Sequence, residues 1–181
     1  SLPLGPQLPL AKAPAEVGKP RFKRRSHSVG RDEWRRLKEK AKHYQITPSG
    51  LLATVFAEVL ATWTRHPKFS LNITLFNRLP LHDQVGQLFG DFTSTLLMEI
   101  DHSKRESFAA KAQRNQAQLW QDLEHRYISG VQFIRELAHR RGIAPGASLP
   151  VVFTSTLGLD HEAENKLLHD GSGKAPYGVW H

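Results

Sequence analysis

Polar side chains begin or end three apolar stretches of this sequence, and their types suit proton transfer. They are, in chain order, Asn77 and Arg78 after LNITLF, Asp91, Thr93 and Ser94 in GDFTS, and Thr154 and Ser155 in PVVFTS. An amide donates to a developing oxyanion, and a carboxylate paired with a hydroxyl moves a proton. Each group alone is more often structural, as part of a turn or as a satisfied buried hydroxyl. The three stretches together predict a site where strand ends meet.

The three apolar stretches have the pattern of β-strands. In the first, Leu71, Ile73 and Leu75 alternate with Asn72 and Thr74, so one face is apolar and the other polar. The predicted strands are 69–76, 92–100 and 149–156. A strand end at the rim of a sheet is a common place for a binding or catalytic group, which explains why an amide and a guanidinium follow the first strand.

Four helices are predicted around these strands, over 31–44, 48–65, 106–127 and 129–140. The second has the clearest start, because Thr47 is a good N-cap and Pro48 suits the first helical position. It is apolar nearly all round, so we expect it to be buried. Gly142 is a natural C-terminal cap for the last helix. Strands alternating with helices predict an α/β domain in which a helical layer covers a sheet.

The two ends of the chain carry weaker signals. Residues 1–20 contain five prolines and predict an extended linker. Residues 21–29 have a weak period of two, which predicts a polar-faced strand. The last twenty residues are polar and rich in glycine, and we expect a mobile loop there.

The excess positive charge is confined to one segment. Residues 19–42 contain eleven of the 25 Lys and Arg residues but three of the 17 Asp and Glu residues, so they account for the whole net charge of +8. One interpretation is a patch for nucleic acid, for phosphate or for an acidic protein. The other is a solvated strand and helix face, which we favour because no aromatic side chains are interleaved for base stacking.

Several familiar kinds of site are not supported by the sequence. The ten histidines include no pair spaced four apart with a glutamate, as a zinc protease needs, and we expect most of them at the surface. GSGK at 171–174 lacks the spacing of a phosphate-binding loop. Asp101 and Glu106 fall at a strand-to-helix junction, where a structural role is favoured. No metal site is predicted.

The composition excludes some chemistry and some locations. The chain contains no cysteine, so disulfides and a thiolate nucleophile are excluded. No apolar run approaches 18 residues, so no membrane span is expected, and no signal peptide begins the sequence. A cytoplasmic protein fits these observations. The start, SLPLGP, is typical of the middle of a longer polypeptide.

Motifs covering about half of the chain resemble one family. TPSGLLATVFAEVLATWTRHPKFSLNITLFNRLPLH at 47–82, VGQLFGDFTSTLLMEID at 85–101 and PVVFTSTLG at 150–158 resemble consecutive signatures of the heterocyclization domains of nonribosomal peptide synthetases, which are variants of condensation domains. LPLGPQLPLAKAP at 2–14 resembles the proline-rich motif that joins their two lobes. The motifs occur in the family's order, and LFNR, GDFTS and PVVFTS are highly specific.

The resemblance implies a fold and a division into parts. The family's domain is a pair of chloramphenicol-acetyltransferase-like lobes that face a tunnel, and it is about twice this length. The D-x-x-x-x-D motif of the N-terminal lobe and the family's final motif do not occur here. We therefore expect 1–20 to be the inter-lobe linker and 21–181 to be the C-terminal lobe, an α/β half-domain with a mixed β-sheet and a helical layer.

The resemblance also implies a reaction and its partners. Carrier-bound acyl and Cys, Ser or Thr thioesters are condensed, and the amide is cyclodehydrated to a thiazoline or an oxazoline in siderophore or antibiotic biosynthesis. No cofactor binds directly, because phosphopantetheine arms of partner carrier domains hold the substrates. The expected partners are the missing N-terminal lobe, peptidyl and aminoacyl carrier domains and an adjacent adenylation domain, with neither nucleic acid nor a membrane among them.

The resemblance also implies roles for individual residues, which we assign motif by motif. Thr154 is the first choice for a catalytic hydroxyl, with a carboxylate partner expected from the final motif beyond His181. Asn77 is the second choice, as a donor to an oxyanion. The tunnel-lining or supporting residues are Asp91, Thr93, Ser94, Ser155 and Arg78, and Arg78 is expected to pair with a carboxylate. The fragment alone is expected to be inactive. The alternative is a non-enzymatic lobe that docks carrier proteins or neighbouring domains.

Overall fold

Four helices and three strands form in the described part of the chain, which comprises residues 2–13, 16–19, 21–79, 81–142 and 149–157 of a computed structural model. In chain order they are α1 (Arg31–His43), α2 (Pro48–Trp63), β1 (Lys68–Phe76), β2 (Thr93–Asp101), α3 (Phe108–Glu124), α4 (Gly130–Arg141) and β3 (Val152–Phe153). These seven elements were predicted and are confirmed, whereas an eighth prediction, a strand over 21–29, is not. The third strand is two residues long instead of the predicted eight, because only Asn72 and Ile73 of β1 pair with it.

Local capping decides where the helices begin and end. The Thr47 hydroxyl accepts a hydrogen bond from the Gly50 amide at 3.0 Å, which confirms the predicted N-cap of α2. Gly142 follows α4 with φ of 63°, the left-handed conformation expected of a C-terminal glycine. Ser107 caps α3 by accepting from the Ala110 amide at 3.2 Å, so this helix begins two residues later than predicted.

The sheet is mixed, with strand order β2-β1-β3. β1 and β2 are antiparallel, in a register that pairs Lys68 with Asp101 at one end and Phe76 with Thr93 at the other. β1 and β3 are parallel. β1 is therefore the central strand, and its C-terminal end lies beside the start of β2 and the end of β3.

One face of the sheet forms the hydrophobic core. The buried side chains on this face are Phe69, Leu71, Ile73 and Leu75 of β1 and Leu96, Met98 and Ile100 of β2, and Ala57 and Leu60 of α2 and Leu123 of α3 pack on them. Directly paired residues share a face, so the opposite face carries Asn72 and Thr74 together with Thr95 and Leu97. The alternation in the sequence predicted this division between an apolar and a polar face.

Two sequence predictions about exposure and strand content are wrong. Residues 21–29 form no strand and are exposed, because no other part of the described chain supplies a pairing partner for this charged segment. The second helix is not buried all round: Val55, Val59 and Trp63 are 43%, 54% and 64% exposed. α2 covers the core with one face, and its apolar outer face lies in solvent.

The proline-rich N-terminal segment lies against the sheet. The Ser70 amide donates to the Leu4 carbonyl at 2.9 Å, and the Ser70 hydroxyl donates to the Pro3 carbonyl at 2.6 Å. Leu8 packs against the core from the same segment. The extended chain predicted for these residues is thus bound to the beginning of β1.

No single helix in the described ranges is long and apolar enough to cross a membrane; α1 and α2 reach that length and composition only as a pair bent by 97°.

Candidate functional site

The strand ends that carry the predicted site residues meet at one end of the sheet. Phe76, the last residue of β1, pairs with Thr93, the first residue of β2. The Asn77 amide extends this ladder by donating to the Phe92 carbonyl at 2.8 Å. β3 ends at Phe153 beside Ile73, so Thr154 also lies toward this end. The structure thus brings the LFNR, GDFTS and PVVFTS segments together.

Thr154 is exposed and hydrogen-bonded to a residue that the sequence analysis did not single out. Its Oγ1 lies 2.8 Å from the Oγ1 of Thr74, and either hydroxyl can be the donor. Both side chains lie on the face of the sheet opposite the hydrophobic core. The alternation that places Thr74 on the polar face was visible in the sequence, but its pairing with Thr154 depends on the parallel register.

Ser155 points toward the helices instead. Its Oγ lies 2.8 Å from the Oγ of Ser49, which is buried in the first turn of α2. This hydrogen bond joins the end of β3 to the helical layer. Thr154 and Ser155, adjacent in sequence, therefore serve opposite faces of the sheet, as expected for extended chain.

Asn77 is half-buried and contacts the chain that follows α3. Its Nδ2 donates to the main-chain carbonyl of Arg126 at 3.1 Å. Its Oδ1 is buried and has no hydrogen-bond partner among the described residues. The side-chain amide of Asn77 thus bonds to the helical layer, whereas the Thr154 hydroxyl bonds to Thr74 on the other face of the sheet.

Arg78 organises the loop between β1 and β2. Its Nη1 donates to the carbonyls of Val85 and Leu88, at 2.7 and 2.8 Å. Its guanidinium carbon lies 4.1 Å from the centre of the Phe92 ring, a cation–π contact. Val85 belongs to a 3₁₀ turn, Asp83–Gln87, so these contacts fix the loop that leads into GDFTS.

The GDFTS residues form the start of β2. The Asp91 Oδ1 accepts from the Thr93 amide at 2.8 Å, and hydrogen bonds from Thr93 lower the pKa of this exposed carboxyl. Thr93 is exposed opposite Phe76, whereas Ser94 is half-buried opposite Leu75 on the core face. Asp91 is therefore ionised at neutral pH and closes a turn at the strand entry.

A partly buried ionic cluster at the other end of the sheet was missed by sequence reasoning. The His102 side chain is 9% exposed, so it is not among the surface histidines that were expected to be the majority. Its Nδ1 lies 3.3 Å from the Lys111 Nζ and 3.5 Å from the Glu58 Oε1, and Lys111 also pairs with Glu58. Its ring stacks on Phe69. Burial first, and then the positive charge of Lys111, lower the pKa of His102.

The acidic residues beside this cluster have structural contacts, as the sequence favoured. The Asp101 carboxylate accepts hydrogen bonds from the Ser103 hydroxyl at 2.6 Å and contacts the Lys68 ammonium at 2.9 Å, and both contacts lower its pKa. Glu106 pairs with Arg114 at 2.6 Å. Within the described residues, no group of three histidine or carboxylate side chains is placed to hold a metal ion.

Asp122 lines an apolar cavity of about 320 Å³ between β2 and α4. Its Oδ1 accepts from the Gln118 Nε2 at 2.8 Å, but its Oδ2 is buried and has no partner in the described ranges. Burial raises the pKa of this carboxyl. Gly130, the first residue of α4, lines the same cavity, and an added Cβ there would lie 2.6 Å from the Thr95 Oγ1.

Comparisons with known proteins agree with this architecture. The model of the condensation-domain family matches residues 4–172. Pyochelin synthetase PchF of Pseudomonas aeruginosa (strain UCBPP-PA14) is 39% identical over 177 residues, 97% of this chain. Phenyloxazoline synthase MbtB of Mycobacterium tuberculosis (strain ATCC 25618 / H37Rv) is 40% identical over 158 residues, 87% of this chain. The chain spans 9% and 11% of the lengths of these two relatives.

A solved structure has the same fold. The cyclization-docking bidomain of EpoB, a nonribosomal peptide synthetase (NRPS) from Sorangium cellulosum, superposes with a TM-score of 0.77 at 42% identity. The match covers 86% of this chain and 31% of that chain. The predicted fold class, an α/β half-domain of the chloramphenicol-acetyltransferase type, is confirmed by this likeness.

Proposed function

The chain belongs to the condensation-domain family, and from that premise we propose that it is the C-terminal lobe of a heterocyclization domain in a nonribosomal peptide synthetase. PchF, MbtB and EpoB support the proposal, since they are named as a pyochelin synthetase, a phenyloxazoline synthase and a cyclization bidomain. The observation that carries it is the exposed Thr154 hydroxyl, placed on the polar face of the sheet at the end where the three motif segments meet.

The proposed reaction has two stages, and its substrates arrive on the phosphopantetheine arms of two carrier domains. The acceptor amine attacks the donor thioester, a C–N bond forms, and the donor thiol leaves. The thiol or hydroxyl of the acceptor side chain then adds to the new amide carbonyl. The resulting adduct loses its hydroxyl group as water, with a proton taken from nitrogen, and a C=N bond completes the thiazoline or oxazoline. The chain itself needs no bound cofactor for either stage.

Thr154 is the residue to which we assign hydrogen bonding with the leaving oxygen or the amide. A threonine hydroxyl is a weak acid and a weak base, so it requires a neighbouring proton carrier. Thr74 is the described neighbour, and we propose that a carboxylate of the family's final motif is the proton carrier. Removal of one oriented donor from such a site costs about 3 kcal/mol of barrier.

Asn77 is the second residue to which we assign a part. One N–H of its Nδ2 is used by the Arg126 carbonyl on the helical side of the sheet, opposite the face of Thr154, so we propose that Asn77 holds the end of β1 and does not donate to the oxyanion beside the Thr154 hydroxyl. Asp91, Thr93 and Arg78 support it, because they hold the β1–β2 loop and the start of β2 next to Asn77. The positioning of two tethered substrates supplies the remaining rate acceleration, without a reactive side chain.

The test is a product assay in the complete two-lobe domain, supplied with acyl- and Cys-, Ser- or Thr-loaded carrier domains. Mass spectrometry separates the linear amide from the heterocycle, which is one water lighter. We expect the heterocycle from the unmodified domain and accumulation of linear amide from Thr154→Val. A docking lobe without chemistry predicts no change on Thr154→Val. Linear amide alone from the unmodified domain overturns cyclodehydration.

A further inference from the structure

A second hydroxyl lies beside Thr154, and the register of the sheet places it there. β1 and β3 are parallel with Ile73 opposite Phe153, so the next residues, Thr74 and Thr154, are neighbours on one face. Their Oγ1 atoms lie 2.8 Å apart, the usual distance of an O–H···O hydrogen bond. Thr74 belongs to the central nine-residue strand, whereas Thr154 lies just beyond a two-residue strand. Thr74 is therefore the better-fixed member of the pair.

We propose that Thr74 is a positioning residue that sets the direction of the Thr154 hydroxyl, an inference that rests on the proposed cyclodehydration. A threonine hydroxyl has one hydrogen and two lone pairs. When Thr74 donates to Thr154, the Thr154 hydrogen points out of the pair and is available to a leaving oxygen. When Thr74 accepts, the Thr154 hydrogen stays within the pair, and its lone pairs are available to an N–H group.

The two directions of this hydrogen bond match the two halves of ring closure. Loss of water from the adduct breaks a C–O bond, gives one proton to the leaving oxygen and removes one proton from nitrogen. The two protons balance, so the step consumes no external acid or base. A hydroxyl in one reversible pair can hydrogen-bond the leaving oxygen in one direction and the N–H group in the other, while the proposed carboxylate carries the proton.

Thr95 shows that a threonine on this face of the sheet does not automatically form a side-chain hydrogen bond. It lies directly across from Thr74 on the β2 side, and so Thr95, Thr74 and Thr154 form one row across the sheet. The Thr95 hydroxyl is buried and has no hydrogen-bond partner among the described residues. Thr74 bonds the threonine of the PVVFTS segment. Thr95→Val is therefore a matched control, with the same residue type in the same row.

The experiment is a double-mutant cycle on the rate of ring closure in the complete domain, with amide formation measured in the same samples. The variants are Thr74→Val, Thr74→Ser, Thr154→Val, the double valine variant and Thr95→Val. We expect Thr74→Val to slow ring closure about three- to tenfold, the effect of one neutral hydrogen bond, and to leave amide formation and KM unchanged. Thr74→Ser restores the rate, and the double variant is no slower than Thr154→Val alone.

The outcomes separate this inference from the proposed function. If Thr154→Val slows ring closure but Thr74→Val does not, or if the two effects multiply, Thr74 does not act through Thr154. An equal loss in Thr95→Val assigns the effect to the packing of the sheet and also overturns the inference. If Thr154→Val closes rings at the normal rate, the proposed part of Thr154 fails, and the part of Thr74 fails with it. Circular dichroism and Tm of each variant exclude unfolding as the cause.

Discussion

The Nδ2 of Asn77 donates a hydrogen bond to the main-chain carbonyl of Arg126, 3.1 Å away, and so joins the residue after β1 to the turn between α3 and α4. The bond spans two elements that are far apart in the chain. Its loss leaves the main-chain carbonyl of the buried Arg126 without this donor, in a region where the Asn77 Oδ1 already lacks a partner among the described residues.

Asn77→Asp is therefore expected to lower the free energy of unfolding by about 1–3 kcal/mol at pH 7, because a carboxylate replaces the donor and faces the Arg126 carbonyl. Urea denaturation measures the change. The deficit shrinks as pH falls, since the protonated carboxyl donates to the same carbonyl. A deficit that is constant between pH 7 and pH 4 contradicts this account of the Asn77–Arg126 bond.

Arg78→Lys is expected to loosen the β1–β2 loop, because an ammonium group cannot reproduce a guanidinium that bonds two carbonyls and lies over Phe92. The expected cost is about 1 kcal/mol. Hydrogen exchange measures faster opening at the amides of 82–92, with little change in β1. The exposed Arg21→Lys is the control, and equal exchange in the two variants argues against a special part for Arg78.

The pKa of His102 makes stability depend on pH. Burial lowers this pKa in the folded protein below its ordinary value of 6.5, so the unfolded chain takes up the proton first as pH falls. The contribution of His102 to the free energy of unfolding is therefore fully present above pH 6.5 and decreases as pH falls below it. Among the charges around the ring, Lys111 and Arg114 also lower the pKa of His102, whereas Glu58 and Asp101 raise it.

His102→Gln is expected to flatten the decrease in Tm between pH 7 and pH 5, whereas His27→Gln, at an exposed position, leaves the slope unchanged. Thermal unfolding at several pH values measures this. An unchanged slope in His102→Gln assigns the pH dependence to other groups. The carboxylates whose pKa is lowered, Asp91 and Asp101 among them, act at more acidic pH and do not confuse the comparison.

Asp122→Asn is expected to stabilise the protein at pH 7. Burial raises the pKa of Asp122, so its ionised form costs stability above its ordinary pKa of 3.8, and the cost grows as pH rises through the folded value. The amide oxygen keeps the bond from Gln118 and carries no charge into the cavity. A gain of at most about 1 kcal/mol is expected, measured as Tm. The exposed Asp32→Asn is the control, and a loss of stability in Asp122→Asn contradicts the prediction.

Gly130→Ala is expected to destabilise the protein by about 1–3 kcal/mol, because the new Cβ would lie 2.6 Å from the Thr95 Oγ1 and 2.8 Å from its main-chain oxygen. Rotation of the Thr95 side chain cannot relieve the second contact. Gly18→Ala, where no atom of the described ranges lies within 4 Å of the added Cβ, is expected to be neutral or slightly stabilising. Equal urea midpoints for the two variants would contradict the close approach of α4 to β2.

Local signals in the sequence predicted the elements well. Thr47 with Pro48 and the glycine at 142 mark helix ends by backbone chemistry that needs no distant partner. The period of two at 21–29 misled, because alternation forms a strand only where another edge is available for pairing. The apolar composition of α2 predicted a helix buried on all sides, but its outer face is exposed. Composition does not say how much of a helix surface packs against other elements.

The candidate site depends on contacts that spacing in the sequence cannot supply. The three motif segments were expected to meet, and the antiparallel and parallel registers of β1 bring them together. The partners of their side chains come from elsewhere: Asn77 finds a carbonyl after α3, Ser155 finds α2, and Thr154 finds β1. Each of these pairs is distant in sequence, so only the folded chain identifies it.

The central position of β1 links the packing of the hydrophobic core to the proposed chemistry. One strand supplies the leucines under the helices and the threonine beside Thr154, on alternate residues. Deleting or inserting a single residue within β1 would exchange these two sets, turning the leucines outward and the hydroxyl inward. Within β1 the chain can therefore tolerate the replacement of one residue by another, but not a change of length.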